Sequence, residues 1–356
     1  IGDYTYPVSV DSTGDLSPSE ASTDPSVSAD GRYVVFVSEE QLDSTNDNNS
    51  DPDVYLRNQL TRTTTLVSVN AEGEAIGGTE PVISADGTHV AFVTTSVADA
   101  SEEAGYVDTN DEADVYVRDL AGATTSLVSY PNGDAANTAL GGSSAPAISA
   151  DGGEVAFVTD TQVGGEIGND DHVYVRHTVV EGEGEAAEEV STLTLVSADA
   201  EGAAVSGTQP AISADGTLVA FATDAQLDEE ADENTDNLAT EGANEASDVY
   251  LRNFAAEAPA NTLVSAVAER IAVGDADSAA VSADGGKVAF VTSVAVDATN
   301  DTNATADVYL RTRGETPSTA VVSVDSEGEA VGVATAPAIS ADATRVAYTT
   351  TVAVDA

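Results

Sequence analysis

Three short loops carry the residue types best able to do chemistry. They read Asp47-Asn48-Asn49-Ser50-Asp51-Pro52-Asp53, Asp108-Thr109-Asn110-Asp111-Glu112-Ala113-Asp114 and Asp301-Thr302-Asn303-Ala304-Thr305-Ala306-Asp307. Each places an oxygen-bearing side chain at every second position. The candidate ligands are therefore Asp47, Asn49, Asp51 and Asp53; Asp108, Asn110, Glu112 and Asp114; and Asp301, Asn303, Thr305 and Asp307. A hard cation such as Ca2+ takes about six to eight oxygens at about 2.3–2.6 Å, and alternating carboxylates and amides on a tight loop can wrap it. The expectation is Ca2+ in one to three of these loops. Asp and Asn also form turns readily, so a purely conformational role competes with the metal reading.

These loops resemble EF-hand calcium loops without the flanking helices and without the glycine at the sixth position. Two further loops depart from the pattern. His172 takes the place of the last aspartate in one, and an acidic insertion from Asp228 to Ser247 interrupts the other. That insertion, and the one from Glu181 to Glu189, read as solvated loops rather than metal cages.

Catalysis finds little support. There is no Gly-x-Ser-x-Gly elbow and no phosphate-binding glycine loop, and cysteine is absent. The three histidines, His89, His172 and His177, have no serine or carboxylate that the sequence directs toward them. The chain reads as no enzyme, with no catalytic or cofactor-binding residues beyond the metal loops.

The elements that must hold the loops are repeats. Ser84-Ala85-Asp86-Gly87, followed by Thr88-His89-Val90-Ala91-Phe92-Val93, recurs from Ser28, Ser149, Ser213, Ser282 and Ser340. An Asp-Gly pair between apolar runs signals a hairpin, because Gly tolerates the positive φ of the turn. At Ser340-Ala341-Asp342-Ala343 the glycine is missing, and a different turn is expected there. A second element, Asp53-Val54-Tyr55-Leu56-Arg57, recurs from Asp114, His172, Asp248 and Asp307. A third, Leu66-Val67-Ser68-Val69, recurs at Leu127, Leu195, Leu263, Val321 and, as Pro7-Val8-Ser9-Val10, near the start. One unit is thus four short antiparallel strands in roughly 60 residues, the pattern of a propeller blade rather than a solenoid coil.

The order of Pro-x-Ile-Ser-Ala-Asp-Gly, Val-Ala-Phe and Asp-Val-Tyr-Val-Arg-Asp-Leu resembles the WD40-like repeat of TolB-type β-propellers, over nearly the whole chain. The resemblance implies an all-β fold: a six-bladed β-propeller of four-stranded antiparallel blades, one domain over 1–356, with hairpins starting near 25, 81, 146, 210, 279 and 337. The Tyr-Arg strand occurs five times against six for the others. The last blade is therefore expected to be closed by the N-terminal strand, Tyr6 to Val10, completed by a neighbouring subunit, or finished by chain beyond Ala356. Of the ten arginines, Arg57, Arg118, Arg176, Arg252 and Arg311 sit two residues after a repeat tyrosine. They are expected to be structural, paired with acidic groups and stacked on tyrosine.

Composition sets the habitat. The 356 residues carry 63 acidic against 11 basic side chains, a net charge of −52, with Lys287 the only lysine. Such a surface repels itself in dilute buffer, but at about 1 M salt the Debye length falls to roughly 3 Å. Adaptation to high salt follows, as in a halophile. Nucleic acid and anionic membranes are excluded as partners, because phosphates need a basic patch. No apolar run is long enough to span a membrane. The start at Ile1-Gly2-Asp3-Tyr4 reads as a secreted, processed protein or an excised segment. The leading expectation is a non-enzymatic extracellular or cell-surface structural or adhesive protein, stabilised by calcium, that self-assembles into a filament or lattice by strand complementation. Its partner is then itself or another surface protein or glycan. The alternatives are a monomeric protein- or glycan-binding TolB-like module, or the non-catalytic propeller domain of a larger hydrolase.

Overall fold

The computed structural model describes residues 6–14, 21–98, 108–132, 139–161, 163, 170–181, 188–227, 247–256, 259–266, 273–297, 299–303, 305–352 and 354. The first five residues and most of the two acidic insertions, 182–187 and 228–246, lie outside them. Every regular element among the described residues is a β-strand.

The first unit sets the pattern. β1 (Ser22–Val27), β2 (Tyr33–Ser38), β3 (Asp53–Asn58) and β4 (Thr63–Leu66) form one sheet in chain order. β5 (Thr79–Ile83), β6 (His89–Thr94), β7 (Asp114–Asp119) and β8 (Thr124–Leu127) repeat it, as do β9 (Ser143–Ile148), β10 (Glu154–Thr159), β11 (His172–Glu181) and β12 (Glu188–Leu195). The insertion at 181–189 is not all loop, because β11 and β12 run into its two flanks. Two more sheets follow: β13 (Thr208–Ile212), β14 (Leu218–Thr223), β15 (Asp248–Asn253) and β16 (Ala260–Leu263); then β17 (Ala276–Val281), β18 (Lys287–Thr292), β19 (Asp307–Thr312) and β20 (Ser318–Val321). β21 (Ala334–Ile339) and β22 (Val346–Thr350) make a two-stranded sheet. Each four-stranded meander is a blade, and the fold is that of an all-β propeller: among the described residues, five four-stranded blades and a sixth of two strands.

Packing divides the chain into two compact units, Ile1–Asn169 with Val175–Leu193, and Asp170–Tyr174 with Thr194–Ala356. In the first, Val35, Val54, Leu56, Val90, Phe92 and Tyr116 are buried together between blades one and two. In the second, Val249, Leu251, Val288, Phe290 and Tyr309 do the same between blades four and five. The sequence selects this core by alternation and repetition. Val-Ala-Phe-Val strands pair with Asp-Val-Tyr strands in one register, Phe36 opposite Tyr55, Phe92 opposite Tyr116 and Phe290 opposite Tyr309. Their rings stack at centroid separations of 6.1, 6.3 and 5.9 Å, a favourable offset geometry.

The Ser-Ala-Asp turn is built identically in all six copies. The Ser28, Ser84, Ser149, Ser213, Ser282 and Ser340 hydroxyls each donate to the aspartate two residues on, at 2.6–2.9 Å. Each serine oxygen also accepts a backbone N–H five residues later, Tyr33 and Arg345 among them. The sixth turn corrects the sequence expectation. Ala343 adopts φ 52° and donates to the Ser340 carbonyl at 2.8 Å, as Gly87, at φ 75°, donates to Ser84 at 2.9 Å. The side-chain bonds of Ser340 and Asp342 enforce the same turn without glycine. The innermost strands hold a second positive-φ site. Asp24, Glu80, Ala145, Gln209, Ser278 and Ala336 lie at φ 50–52°, each at a register shift in its blade. These are β-bulges carried by non-glycine residues.

The arginine expectation is also corrected in its partners. Arg57 Nη1 donates to the Asp11 carbonyl at 3.0 Å and the Thr64 hydroxyl at 2.9 Å, and Arg252 Nη1 to the Ala198 carbonyl at 2.8 Å. Arg176 donates to the Val128 and Tyr130 carbonyls, and Arg311 to Ala266. The guanidinium groups tie one blade to the end of the Leu-Val-Ser segment before it. That segment ends in backbone acceptors, so a carbonyl rather than a carboxylate meets the fork. Stacking occurs for Arg176, 3.6 Å from the ring centre of Tyr130 rather than over the repeat tyrosine of its own strand.

Candidate cation sites

The acidic loops enter the Tyr-Arg strands, and the strand fixes the last aspartate. Asp53, Asp114 and Asp307 are each fully buried as the first residue of β3, β7 and β19. The buried serine of the Leu-Val-Ser segment clamps each of them. Ser68, Ser129 and Ser323 donate from Oγ to Oδ1 of Asp53, Asp114 and Asp307 at 2.5, 2.5 and 2.6 Å. The same hydroxyl oxygens accept the N–H groups of Val54, Val115 and Val308. This explains why the serine recurs with the aspartate. The fourth blade keeps the clamp, Ser265 on Asp248 at 2.6 Å.

The first loop residue arrives from the other side. Asp47, Asp108 and Asp301 are all at most 4% exposed, and their Oδ2 atoms accept from the hydroxyls of Tyr55, Tyr116 and Tyr309. Tyrosine and serine therefore each occupy one oxygen of a carboxylate, and Oδ1 of Asp108 and Asp301 accepts the N–H of Asn110 and Asn303 at 3.3 and 3.4 Å. In blade one, Asp47 Oδ1 and Asp53 Oδ2 are buried and have no hydrogen-bond partner, and the same holds for Asp114 Oδ2 and Asp307 Oδ2. The amide nitrogens of Asn49 and Asn303 are buried in the same condition.

The first aspartate of each loop acts electrostatically on the last. Burial pushes the Asp53 carboxyl up to about 6; the Ser68 hydroxyl opposes the shift, Asp47 adds to it, and Asn49 opposes it. Burial likewise pushes Asp114 up to about 7, with Ser129 and Asn110 opposing and Asp108 adding to the shift. Asp307 is raised by the same cause, with Ser323 and Asn303 opposing and Asp301 adding. Two negative groups sharing a dry pocket disfavour ionisation, and a bound cation reverses that penalty.

The structure thus brings together positions one, three and seven of each loop. Position five is left out. Asp51 and Glu112 are exposed, and the Thr305 hydroxyl is spent on Asn303 Oδ1 at 2.7 Å. Asn49, Asn110 and Asn303 accept the N–H of residues 51, 112 and 305 at 2.8–2.9 Å, and this local turn swings the fifth position away. The tyrosine and serine braces were missed by inspecting the loops alone; their signal was the strict recurrence of Asp-x-Tyr and Leu-Val-Ser. In the third blade His172 replaces the aspartate, 4% exposed, with Nδ1 at 2.8 Å from the Val205 carbonyl.

Among the described residues, no three histidine, cysteine, aspartate or glutamate side chains cluster. Each loop offers two buried carboxylates, hard oxygen ligands without the nitrogen and sulfur that zinc sites favour. The histidines form no catalytic arrangement among the described contacts. His89 Nδ1 lies 2.8 Å from the Thr88 hydroxyl and His177 Nδ1 2.7 Å from Glu154. A cleft of about 350 Å³ lined by His89, Asp119, Asp151 and Arg176 is the seam between blades two and three.

No protein-family model matches the sequence. No curated protein matches it either. Among solved structures, the chain is similar to TolB from Acinetobacter baumannii, with 13% identity over 85% of this chain and 57% of that one, at a TM-score of 0.45. It is similar to a putative TolB from Agrobacterium tumefaciens, with 14% identity over 93% of this chain and 91% of that one, at 0.47. The β-propeller domain of the Trilobed protease from Pyrococcus furiosus is also similar, with 12% identity, 85% of each chain covered and a TM-score of 0.37.

Proposed function

We propose that this chain is a non-enzymatic propeller module, secreted or displayed at a cell surface in a salty habitat, that associates with further copies of itself through its sixth blade. The carrying observation, among the described residues, is an outer-type segment seated on blade one and a sixth sheet of two strands. Thr64 donates from Oγ1 to the Val10 carbonyl at 2.5 Å, as Thr125 donates to Val69 at 2.8 Å. Val10 therefore stands on blade one as Val69, Ala198 and Ala266 stand on blades two, four and five. β22, in contrast, belongs to a sheet of two strands among the described residues. Strands in its position elsewhere are buried beyond their first residue or two, whereas Ala347 and Thr349 of β22 are exposed.

The N-terminal segment of a second copy, which carries the outer motif, is the occupant we place there. In the other blades that motif pairs with the third strand, and here it would take the third strand's place beside β22. Unlike surfaces meet in such a contact, so repetition gives a ring or an open filament. An uncovered edge is otherwise a liability that proteins cover or pair. The acid excess suits this habitat: at about 1 M salt the charge repulsion between copies is screened within roughly 3 Å.

Light scattering of the full chain in concentrated KCl tests the reading. Association that grows with protein concentration and is lost on deleting residues 1–10 is expected. A particle that stays monomeric at every concentration overturns it and leaves a monomeric protein- or glycan-binding module. Association that survives the deletion removes the N-terminal segment from the contact.

A further inference from the structure

We infer that blades one, two and five each hold a divalent hard cation, Ca2+ by its chemistry, between the first and last aspartates of the acidic loop. This inference is independent of self-association. The geometry recurs three times with different intervening residues, so it is a property of the repeat rather than of one loop. In each blade, tyrosine occupies one oxygen of the first aspartate: Tyr55 on Asp47, Tyr116 on Asp108, Tyr309 on Asp301. In each blade, serine occupies one oxygen of the last aspartate: Ser68, Ser129 and Ser323.

What remains is the telling part. Asp53 Oδ2, Asp114 Oδ2 and Asp307 Oδ2 belong to fully buried residues and have no hydrogen-bond partner, and Asp47 Oδ1 in blade one is in the same state. A buried carboxylate oxygen without a donor is costly, and native proteins rarely leave one. The braces exclude the simplest remedy, since each nearby hydroxyl already donates to the other oxygen of its carboxylate. The amides of Asn49 and Asn303 sit beside the pair with their nitrogens unpartnered. Their oxygens are held by the N–H groups of Asp51 and Thr305, so the ligands counted here are the carboxylates alone. Water and backbone carbonyls supply the rest of the shell of about six to eight oxygens.

Charge selects a divalent ion. Two buried carboxylates carry two negative charges when ionised, which one divalent cation balances and a monovalent one does not. Magnesium demands near-octahedral geometry at about 2.0–2.1 Å and dehydrates reluctantly, which a site with few rigid ligands does not favour. The third blade is the internal control. With His172 in place of the aspartate and its Nδ1 turned to the Val205 carbonyl, it lacks the pair.

The test is thermal melting of the full chain, stripped by chelator, in concentrated KCl, with CaCl2, MgCl2 or neither added. Ca2+ alone is expected to raise Tm by several degrees in a saturable way, with Mg2+ much weaker. Equilibrium dialysis should show binding that falls by three ions per chain in the triple variant Asp53→Asn, Asp114→Asn, Asp307→Asn. That variant keeps an acceptor for each serine and removes a buried charge, so it should melt no lower than the stripped parent and lose the calcium response. A parent whose Tm is indifferent to Ca2+, or a variant that retains the full calcium shift and stoichiometry, overturns the inference. Equal shifts from Mg2+ and Ca2+ overturn the choice of calcium.

Discussion

At the scale of single residues, the Ser-Ala-Asp turn shows how side-chain bonds override backbone preference. Ala343 sits at φ 52°, a conformation L-residues avoid, while Gly87 occupies the equivalent place freely. Opposite outcomes follow from opposite substitutions. Ala343→Gly should stabilise the protein by roughly 0.5–1 kcal/mol, relief of the left-handed strain exceeding the added entropy of glycine in the unfolded chain. A Cβ on Gly87 would lie 2.7 Å from Cδ2 of Tyr33, so Gly87→Ala combines strain with a clash and should cost about 1–3 kcal/mol. Denaturant melts of the two variants check both signs. The turn aspartates also set an acid limit. The Ser340 and Thr344 hydroxyls and the Thr344 N–H hold Asp342 down to about 2. Backbone N–H groups hold Asp30, Asp151 and Asp284 below the usual range. A depressed carboxylate stabilises the fold above its unfolded pKa of about 3.9 and loses that contribution as pH falls through the folded value. At constant high salt, Tm should therefore decline between about pH 4 and pH 2. The Ser340→Ala variant, lacking one donor to Asp342, should begin that decline at higher pH than the parent.

At the scale of elements, Thr64, Thr125, Asn261 and Thr319 donate to the carbonyl that ends the preceding segment, and Arg57, Arg176, Arg252 and Arg311 donate to the same segments. Arg57 is 6% exposed and bonds both Asp11 and Thr64, so Arg57→Leu removes two bonds from a buried site. A loss of about 1–3 kcal/mol is expected, with faster proteolysis near Val10 as the local signature. Much of this architecture was legible beforehand. The hairpins, the Phe-on-Tyr register and the four-strand unit follow from Asp-Gly turns and β-branched runs repeated at one period, each a local rule. What escaped was set by side-chain partners that the pattern does not name. The bulges at Glu80, Ala145 and their equivalents carry no glycine, and the arginines found carbonyls where acidic partners were expected. Likewise, alternation predicted four ligands per loop, but period two holds only for extended chain. Asn49 accepting the Asp51 N–H turns the loop and carries Asp51 out to solvent.

At the scale of the whole molecule, five sheets among the described residues share one four-stranded plan, and the sixth shows its first two strands. That contrast within one chain carries the functional reading, with the acid excess supplying its habitat. Association through blade six should strengthen with salt, because screening of a net charge of −52 removes the repulsion between copies. A contact dominated by ion pairs would weaken instead. Hydrogen exchange of the β22 amides, Val346 to Thr350, followed as a function of protein concentration in concentrated KCl, addresses the central claim most directly. The account predicts that their protection rises with concentration, together with that of residues 6–14, while the amides of β18 stay protected throughout. Exchange in β22 that is the same at every concentration would contradict it.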